Sequence, residues 1–274
     1  MKMSNQEFDL TGKVAIITGG SGALGGSMAI HLIKQGVKVA ILDLRPDATE
    51  KRVEELKALG GEAMALVSSV LDKEQLEAAK DKIVKEWGTI DILINAAGGN
   101  MPGATIAPDQ TIFDLSIEDF KKVSDLNLNG TVLPSIVFGK VMAENNAGVM
   151  INISSMTAQR AITRVVGYSA AKAAIDNFTR WMSVEMALKF GGGVRVNAIA
   201  PGFFIGEQNR KLLTNEDGSL TDRGKTIIAQ TPMGRFGEAE ELNGTIHWLC
   251  SEASKFVTGI VVPIDGGFSA YSGV

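Results

Sequence analysis

The chain has 274 residues, 45% hydrophobic, 21% charged and 6% aromatic, a globular composition long enough for one large domain or two small ones. A net charge of -4, with Lys and Arg scattered throughout, provides no basic face for a phosphate backbone and sets nucleic acid aside. One cysteine, Cys250, excludes an internal disulfide framework. Residues 1–12 lack an apolar leader and no 18 uncharged apolar residues run together, so a cytoplasmic chain without membrane attachment is expected.

Short β-branched runs alternate along the chain with longer stretches of helical period. Residues 14–18 read as the first strand, followed by a Gly-rich turn and an amphipathic helix to Gln35. A strand over 37–42 precedes a charged helix over 47–59, closed by Gly60 and Gly61. A third strand, 63–67, leads to a helix over about 72–87 ended by Gly88, and 90–94 is the fourth. Ser116-Ile117-Glu118-Asp119 has the spacing of a capping box, and the helix it opens is expected to run to about Asn145. A strand over 148–153, a helix over about 168–189 stopped by glycines 191–193, and strands over 194–199 and 260–264 complete the set.

Seven apolar strands separated by helices predict an α/β fold: one domain over 1–274, doubly wound, with a seven-stranded parallel sheet covered by helices on both faces. Connections 96–115 and 201–237 are too long to be simple links and are expected to surround a substrate. In such sheets ligands gather beyond the carboxyl ends of the strands, where strand order reverses.

The turn after the first strand reads Thr18-Gly19-Gly20-Ser21-Gly22-Ala23-Leu24-Gly25-Gly26. Its glycines let a pyrophosphate approach the backbone, and the following helix offers free N–H groups and a positive dipole end. Asp43 closes the second strand, where a carboxylate accepts hydrogen bonds from both adenosine ribose hydroxyls and repels a 2′-phosphate. NAD is therefore expected over NADP, although Arg45 could pair with that phosphate. Ser154-Ser155 ends the fifth strand, and Tyr168 and Lys172 follow four apart, on one face of a helix. A cation about 4 Å from a phenolate is worth on the order of 4 kcal/mol at an effective dielectric of 20, enough to bring a phenol towards neutrality for acid–base work.

Taken together, Thr18-Gly19 with Gly25, Asn95-Ala96-Ala97-Gly98, Asn127 in Leu126-Asn127-Leu128-Asn129-Gly130, Ser155, Tyr168, Lys172 and Pro201-Gly202 resemble the short-chain dehydrogenase/reductase family from about residue 9 to 268. The resemblance implies a Rossmann domain with Tyr168 as general acid/base, Ser155 steadying the substrate oxygen, Lys172 holding the nicotinamide ribose and lowering the Tyr168 pKa, and Asn127 anchoring a water linked to Lys172. It implies a cofactor cradle of Gly19, Ser21, Gly22, Ala23, Leu24, Asp43, Ser69, Val70, Asn95, Ala96, Gly98, Tyr168, Lys172, Pro201 and Gly202, in which Asn95 and Gly98 support the fourth strand and the adenine-side ribose. Ala23, Ser69 and Gly206 depart from the family's usual glycine, aspartate and threonine. The resemblance also implies a homodimer or homotetramer, built on the 116–145 and Tyr168 helices and the last strand.

The loops around the expected substrate are polar: Gly99-Asn100 after the fourth strand; Met156, Thr157, Gln159, Arg160 and Arg164 after the fifth; Glu207, Gln208, Asn209 and Arg210 after Pro201. Arginines with amides suit a small polyhydroxylated carboxylate, so Asn100, Gln159, Arg160, Arg164 and Arg210 are candidate substrate contacts. The combination is similar to the branch of the family that interconverts D-mannonate and D-fructuronate with NAD(H). The alternatives are a 3-oxoacyl-carrier-protein reductase using NADPH and a dinucleotide-sensing protein without turnover. His31 and His247 are expected to be packed or surface residues, Cys250 a small buried thiol, and residues 268–274 a tail that packs on a neighbouring subunit. No metal site is expected.

Overall fold

Alternation along each strand sorts the side chains to two faces. In the computed structural model, which describes residues 5–206 and 210–273, Ala15 and Ile17 of β1 (Val14–Thr18) enter one core with Val39 and Ile41 of β2 (Lys38–Asp43) and Ile92 and Ile94 of β4 (Ile92–Asn95). Their neighbours Val14, Ile16, Ala40, Leu42 and Leu93 enter a second core on the opposite face. Helices α1 (Ala23–Lys34), α2 (Pro46–Ala58) and α9 (Asn243–Cys250) cover the first face through Leu32, Leu56 and Leu249. Helices α3 (Lys73–Trp87), α5 (Gly130–Asn145) and α6 (Val166–Phe190) cover the second through Ile83, Phe138 and Met186.

With β3 (Ala63–Val67), β5 (Gly148–Ile153), β6 (Val194–Pro201) and β7 (Val261–Ile264), the strands form one seven-stranded parallel sheet in the order β3-β2-β1-β4-β5-β6-β7. This is the expected doubly wound architecture, and its order reverses between β1 and β4. Among the described residues, no helix is long and apolar enough to cross a membrane.

The helix expected over 116–145 is in fact two. α4 (Ile117–Ser124) passes into a π-type turn, Asp125–Asn129, before α5 begins. Ser116 caps α4 by accepting from Asp119 N at 3.2 Å, while the Asp119 carboxylate pairs forward with Lys122. The extra residue of a π turn rotates the succeeding helix and exposes backbone groups, which is why such turns mark functional positions; Asn127 lies inside it. α6 starts two residues before Tyr168, which puts that tyrosine in its first turn.

The two histidines are packed, as expected. His247 Nε2 faces the Phe8 carbonyl at 2.7 Å and so carries the proton there, leaving Nδ1 to accept from His31 Nε2 at 3.0 Å. Burial, then the neighbouring His247 and Lys34, holds His31 below the usual histidine value. A depressed folded value means this contribution to stability is full above the unfolded histidine range and is lost as pH falls through the folded one. Urea unfolding is expected to show a lower midpoint at pH 5 than at pH 7.5, with a smaller difference in His31→Phe.

Burial pushes the Cys250 thiol up to about 12, despite the opposing charge of Arg195. Cys250 is an inert core residue. Arg195 is itself buried and donates to Leu249 O at 2.8 Å, Ser251 O at 3.0 Å and Ser254 Oγ at 2.9 Å, closing the end of α9. The tail through Ser269 folds onto its own chain. Ser269 N donates to Asp265 at 2.9 Å, Phe268 packs edge-on against Phe203, and the Arg160 guanidinium takes the Ser269 carbonyl.

Candidate active site

At the carboxyl end of β1, Gly19 takes φ +63, and a Cβ there would lie 2.7 Å from the Ala97 Cα. Only glycine lets the turn sit against the loop after β4. Thr18 Oγ1 ties the same loop down, accepting from Ala96 N at 3.2 Å and Ala97 N at 3.1 Å. Gly25 presses on the Gly19 carbonyl, where a Cβ would come within 2.7 Å. Gly22 caps α1 without a side-chain acceptor, so the first-turn amides around Ala23 and Leu24 have no side-chain cap. An uncapped helix start beside a close-packed glycine turn fits the pyrophosphate of a dinucleotide.

Ala23, the departure from glycine, begins α1 with its side chain exposed. A Cβ on Gly206, the second departure, would come 3.9 Å from the Ala23 Cβ. The two exceptions to the family pattern thus face each other across the mouth of the crevice. Gly202 lies against the end of β7, where a Cβ would meet Asp265 Cα at 2.6 Å, and its N–H donates to Ile264 O at 2.9 Å, which sets how the chain leaves Pro201.

Asp43 closes β2, nearly buried. Its carboxylate accepts from Arg45 Nε at 3.1 Å and Nη2 at 3.3 Å, and the same guanidinium donates to Ser21 Oγ at 3.1 Å. Burial pushes the Asp43 carboxyl up, but the hydrogen bonds from Arg45 and Ser21 outweigh it and hold the group below the usual carboxylate value. Asp43 is therefore an anion at neutral pH, bridged by Arg45 to the glycine turn. Ser69, the third departure, uses its hydroxyl locally, accepting from Leu71 N at 3.2 Å in an exposed turn, and Val70 packs on Gly130 at the start of α5.

The chemical residues converge at the ends of β4 and β5. Ser155, 6% exposed, accepts from Thr157 N at 3.2 Å and lies within hydrogen-bonding reach of the Tyr168 hydroxyl. Lys172, one turn along α6, places Nζ 5.4 Å from the Tyr168 ring centroid and donates to Ile153 O at 2.6 Å. A Cβ on Gly98 would meet Asn127 Oδ1 at 2.6 Å and Lys172 Nζ at 3.5 Å, so a glycine admits both. Asn127 is fully buried and clamps the loop after β4: its amide donates to Gly99 O at 2.7 Å and Val123 O at 2.8 Å, and its Oδ1 accepts from Gly99 N at 3.2 Å.

One expectation is corrected here. Tyr168 lies above its ordinary value: burial raises it, and the Ser155 hydrogen bond only partly offsets this. Burial also pulls Lys172 down to about 8, with Asp176 opposing, so the ammonium has already given up its proton where the phenol titrates and does not offset the rise. Asn95 is fully buried and binds Ser135 Oγ and Asn152 Oδ1, each at 2.9 Å. It ties β4 to β5 and α5, the strand support expected of it.

The candidate substrate contacts disperse. Asn100 donates to Thr105 Oγ1 at 2.7 Å. Gln159 bonds the Asp176 carboxylate, and Arg160 holds the tail. Arg210 opens α7 (Arg210–Leu213) in an exposed position, its N–H donating to Gly206 O at 3.0 Å. Glu207, Gln208 and Asn209 lie outside the described residues. Arg164 alone meets a second cation, Arg223. Sequence reading missed Asp176, one turn beyond Lys172 and bonded by Ser154 Oγ. The i, i+4 spacing that linked Tyr168 to Lys172 also points to it. Arg223 carried no comparable signal.

An uncapped glycine turn at the switch point and a Ser–Tyr–Lys–Asn cluster beside it define an oxidoreductase of the doubly wound class. Residues 20–269 match the family described as enoyl-(acyl carrier protein) reductase, and the chain belongs to the short-chain dehydrogenases/reductases, NAD(P)-dependent enzymes of alcohol and ketone groups. It is 49% identical over 275 residues to the uncharacterized oxidoreductase UxuB of Bacillus subtilis, covering 97% of this chain and 98% of that one. An uncharacterized oxidoreductase of Haemophilus influenzae is 44% identical over 277 residues, covering 97% and 96%. A crystal structure with bound NAD, described provisionally as a D-mannonate oxidoreductase from Haemophilus influenza, superimposes with a TM-score of 0.91 at 44% identity, covering 97% of this chain and 98% of that one.

Proposed function

We propose that this chain interconverts a hexonate and its keto acid with NAD(H), D-mannonate and D-fructuronate before other pairs. The observation that carries the redox chemistry is the convergence of Ser155, Tyr168, Lys172 and Asn127 at the ends of β4 and β5. The ionised, nearly buried Asp43 favours a free ribose over a 2′-phosphate, and the NAD held by the Haemophilus protein supports the same choice.

Ser21, Gly22 and the first turn of α1 would hold the pyrophosphate, and Asp43 the adenosine ribose. A nicotinamide, when bound, supplies or accepts the hydride. The chain's own residues handle the proton. When the ketone is reduced, the Tyr168 phenol, kept protonated by burial, gives its proton to the substrate oxygen, and Ser155 donates a hydrogen bond to that oxygen. Lys172, near 8, is poised to return a proton to the phenolate, and Asn127 fixes the Gly98–Gly99 backbone beside it. Oxidation runs the same path backwards.

Exposed Ile136 on α5 and Trp181, Val184 and Leu188 on α6 support assembly into a homo-oligomer through this face. The acyl chemistry in the family description, together with Arg45, favours a second reading, an NADPH-dependent 3-oxoacyl-carrier-protein reductase. A screen of hexonates, keto-hexuronates and 3-oxoacyl thioesters, read by NADH and NADPH absorbance, separates the two. Turnover of a hexonate with NAD is expected; activity confined to thioesters would overturn the sugar-acid reading.

A further inference from the structure

Three loops from the carboxyl ends of β4, β5 and β6 meet around Arg164. It lies four residues before Tyr168 and takes φ +80, a left-handed conformation that side-chain-bearing residues rarely adopt. A two-way clamp to the loop after β4 holds it there: Arg164 Nε donates to Ile106 O at 2.9 Å, and Ile106 N donates to Arg164 O at 3.0 Å. From the long segment after β6, Arg223 in the first turn of α8 (Asp222–Ala229) reaches in, its Nη1 donating to Thr163 Oγ1 at 3.3 Å. Arg223 thus grips the residue next to Arg164, and both arginines are half-buried. Burial, and then the like charge of Arg164, disfavours the charged form of Arg223.

Among the described residues neither arginine has a carboxylate partner, and Asp222 beside Arg223 pairs with Lys225 instead. Like charges drawn together and partly desolvated, one on a strained backbone, are stabilised by an anion between them. Each side chain uses one N–H on the protein, which leaves the rest of each planar fork for a carboxylate. Arg160 and Arg210 do not share this arrangement: one is engaged by the tail and the other is exposed.

We propose that Arg164 and Arg223 together form the subsite for the substrate's carboxylate, with Arg223 bringing the segment after β6 to bear on acid specificity. This rests on the sugar-acid reading above and extends it to a residue that sequence reasoning passed over. The reacting carbon is handled by Tyr168 and Ser155, so the clamp acts by ground-state binding: losing Arg223 should raise KM with little change in kcat.

Calorimetry on the NAD-saturated protein, with D-gluconate as anion and D-sorbitol as its uncharged counterpart, tests this without relying on turnover. Wild type is expected to bind gluconate, Arg223→Gln at least tenfold more weakly and Arg223→Lys in between, with sorbitol bound alike by all three. Absence of gluconate binding by wild type, or an equal loss for gluconate and sorbitol in Arg223→Gln, overturns the carboxylate subsite. Gluconate binding lost selectively in Arg223→Gln, with no hexonate turned over by wild type, upholds the subsite and overturns the sugar-acid redox reading alone. Where hexonates are turned over, the same variant is expected to raise KM at least tenfold with kcat within threefold; a fall in kcat at unchanged KM would count against the clamp.

Discussion

Tyr168→Phe should lower kcat at least about a hundredfold, the range in which a positioned acid–base group contributes. The substitution removes one oxygen from a half-buried ring and leaves the glycine turn, Asp43 and Lys172 in place, so NADH should still bind by fluorescence titration. Since burial holds the phenol above its ordinary value, the protonated form dominates at neutral pH. In wild type, ketone reduction should therefore hold a plateau at lower pH and fall as pH rises through the phenol's value in the complex. Alcohol oxidation should do the opposite, rising towards alkaline pH as the phenolate becomes available. A Tyr168→Phe enzyme that retained most of its turnover, or whose loss tracked a failure to bind NADH, would place the acid elsewhere.

The layout of the fold was legible because each strand carries its own signal. Runs such as Val14-Ala15-Ile16-Ile17 have an apolar residue for each of two covered faces, and the glycines after them end the run. Local geometry set by tertiary contacts could not be read in the same way. The break between α4 and α5 has no proline or glycine before Gly130; it is imposed by Asn127, whose side chain bonds the loop after β4 and a carbonyl one turn back. The Ser155, Tyr168 and Lys172 cluster was visible because two of its members share one helix face. The electrostatic sense of the pair was not, because spacing reports proximity and not burial: the same burial that raises the tyrosine lowers the lysine. Nor does spacing tell which backbone a guanidinium will hold: Arg160 and Arg164 looked alike in the sequence, yet one grips the Ser269 carbonyl of the tail and the other the Ile106 carbonyl of the loop after β4.

Lys172→Met is expected to abolish activity and yet stabilise the protein. The Lys172 side chain is 4% exposed, in the wall between β5 and α6. Its fall from 10.5 to about 8 corresponds to roughly 3 kcal/mol of disfavoured protonation at neutral pH. For a lysine with a depressed folded value the unfolded chain binds the extra proton between those two limits, so stability rises with pH across that window and the burden is fully present below it. Methionine fills a similar volume without a charge to desolvate. Two losses work against the gain: Ile153 O gives up its 2.6 Å donor, and the nearby Asp176 carboxyl loses a neighbouring cation. Burial already holds Asp176 above its usual value, so it can meet that loss by keeping a proton. The net expectation is a gain of about 1–2 kcal/mol in urea unfolding at pH 7, shrinking towards pH 10, with turnover reduced at least about a hundredfold. A less stable Lys172→Met would mean that the ammonium's bond to the end of β5 outweighs the cost of burying it, making the lysine a structural pin as much as a proton relay.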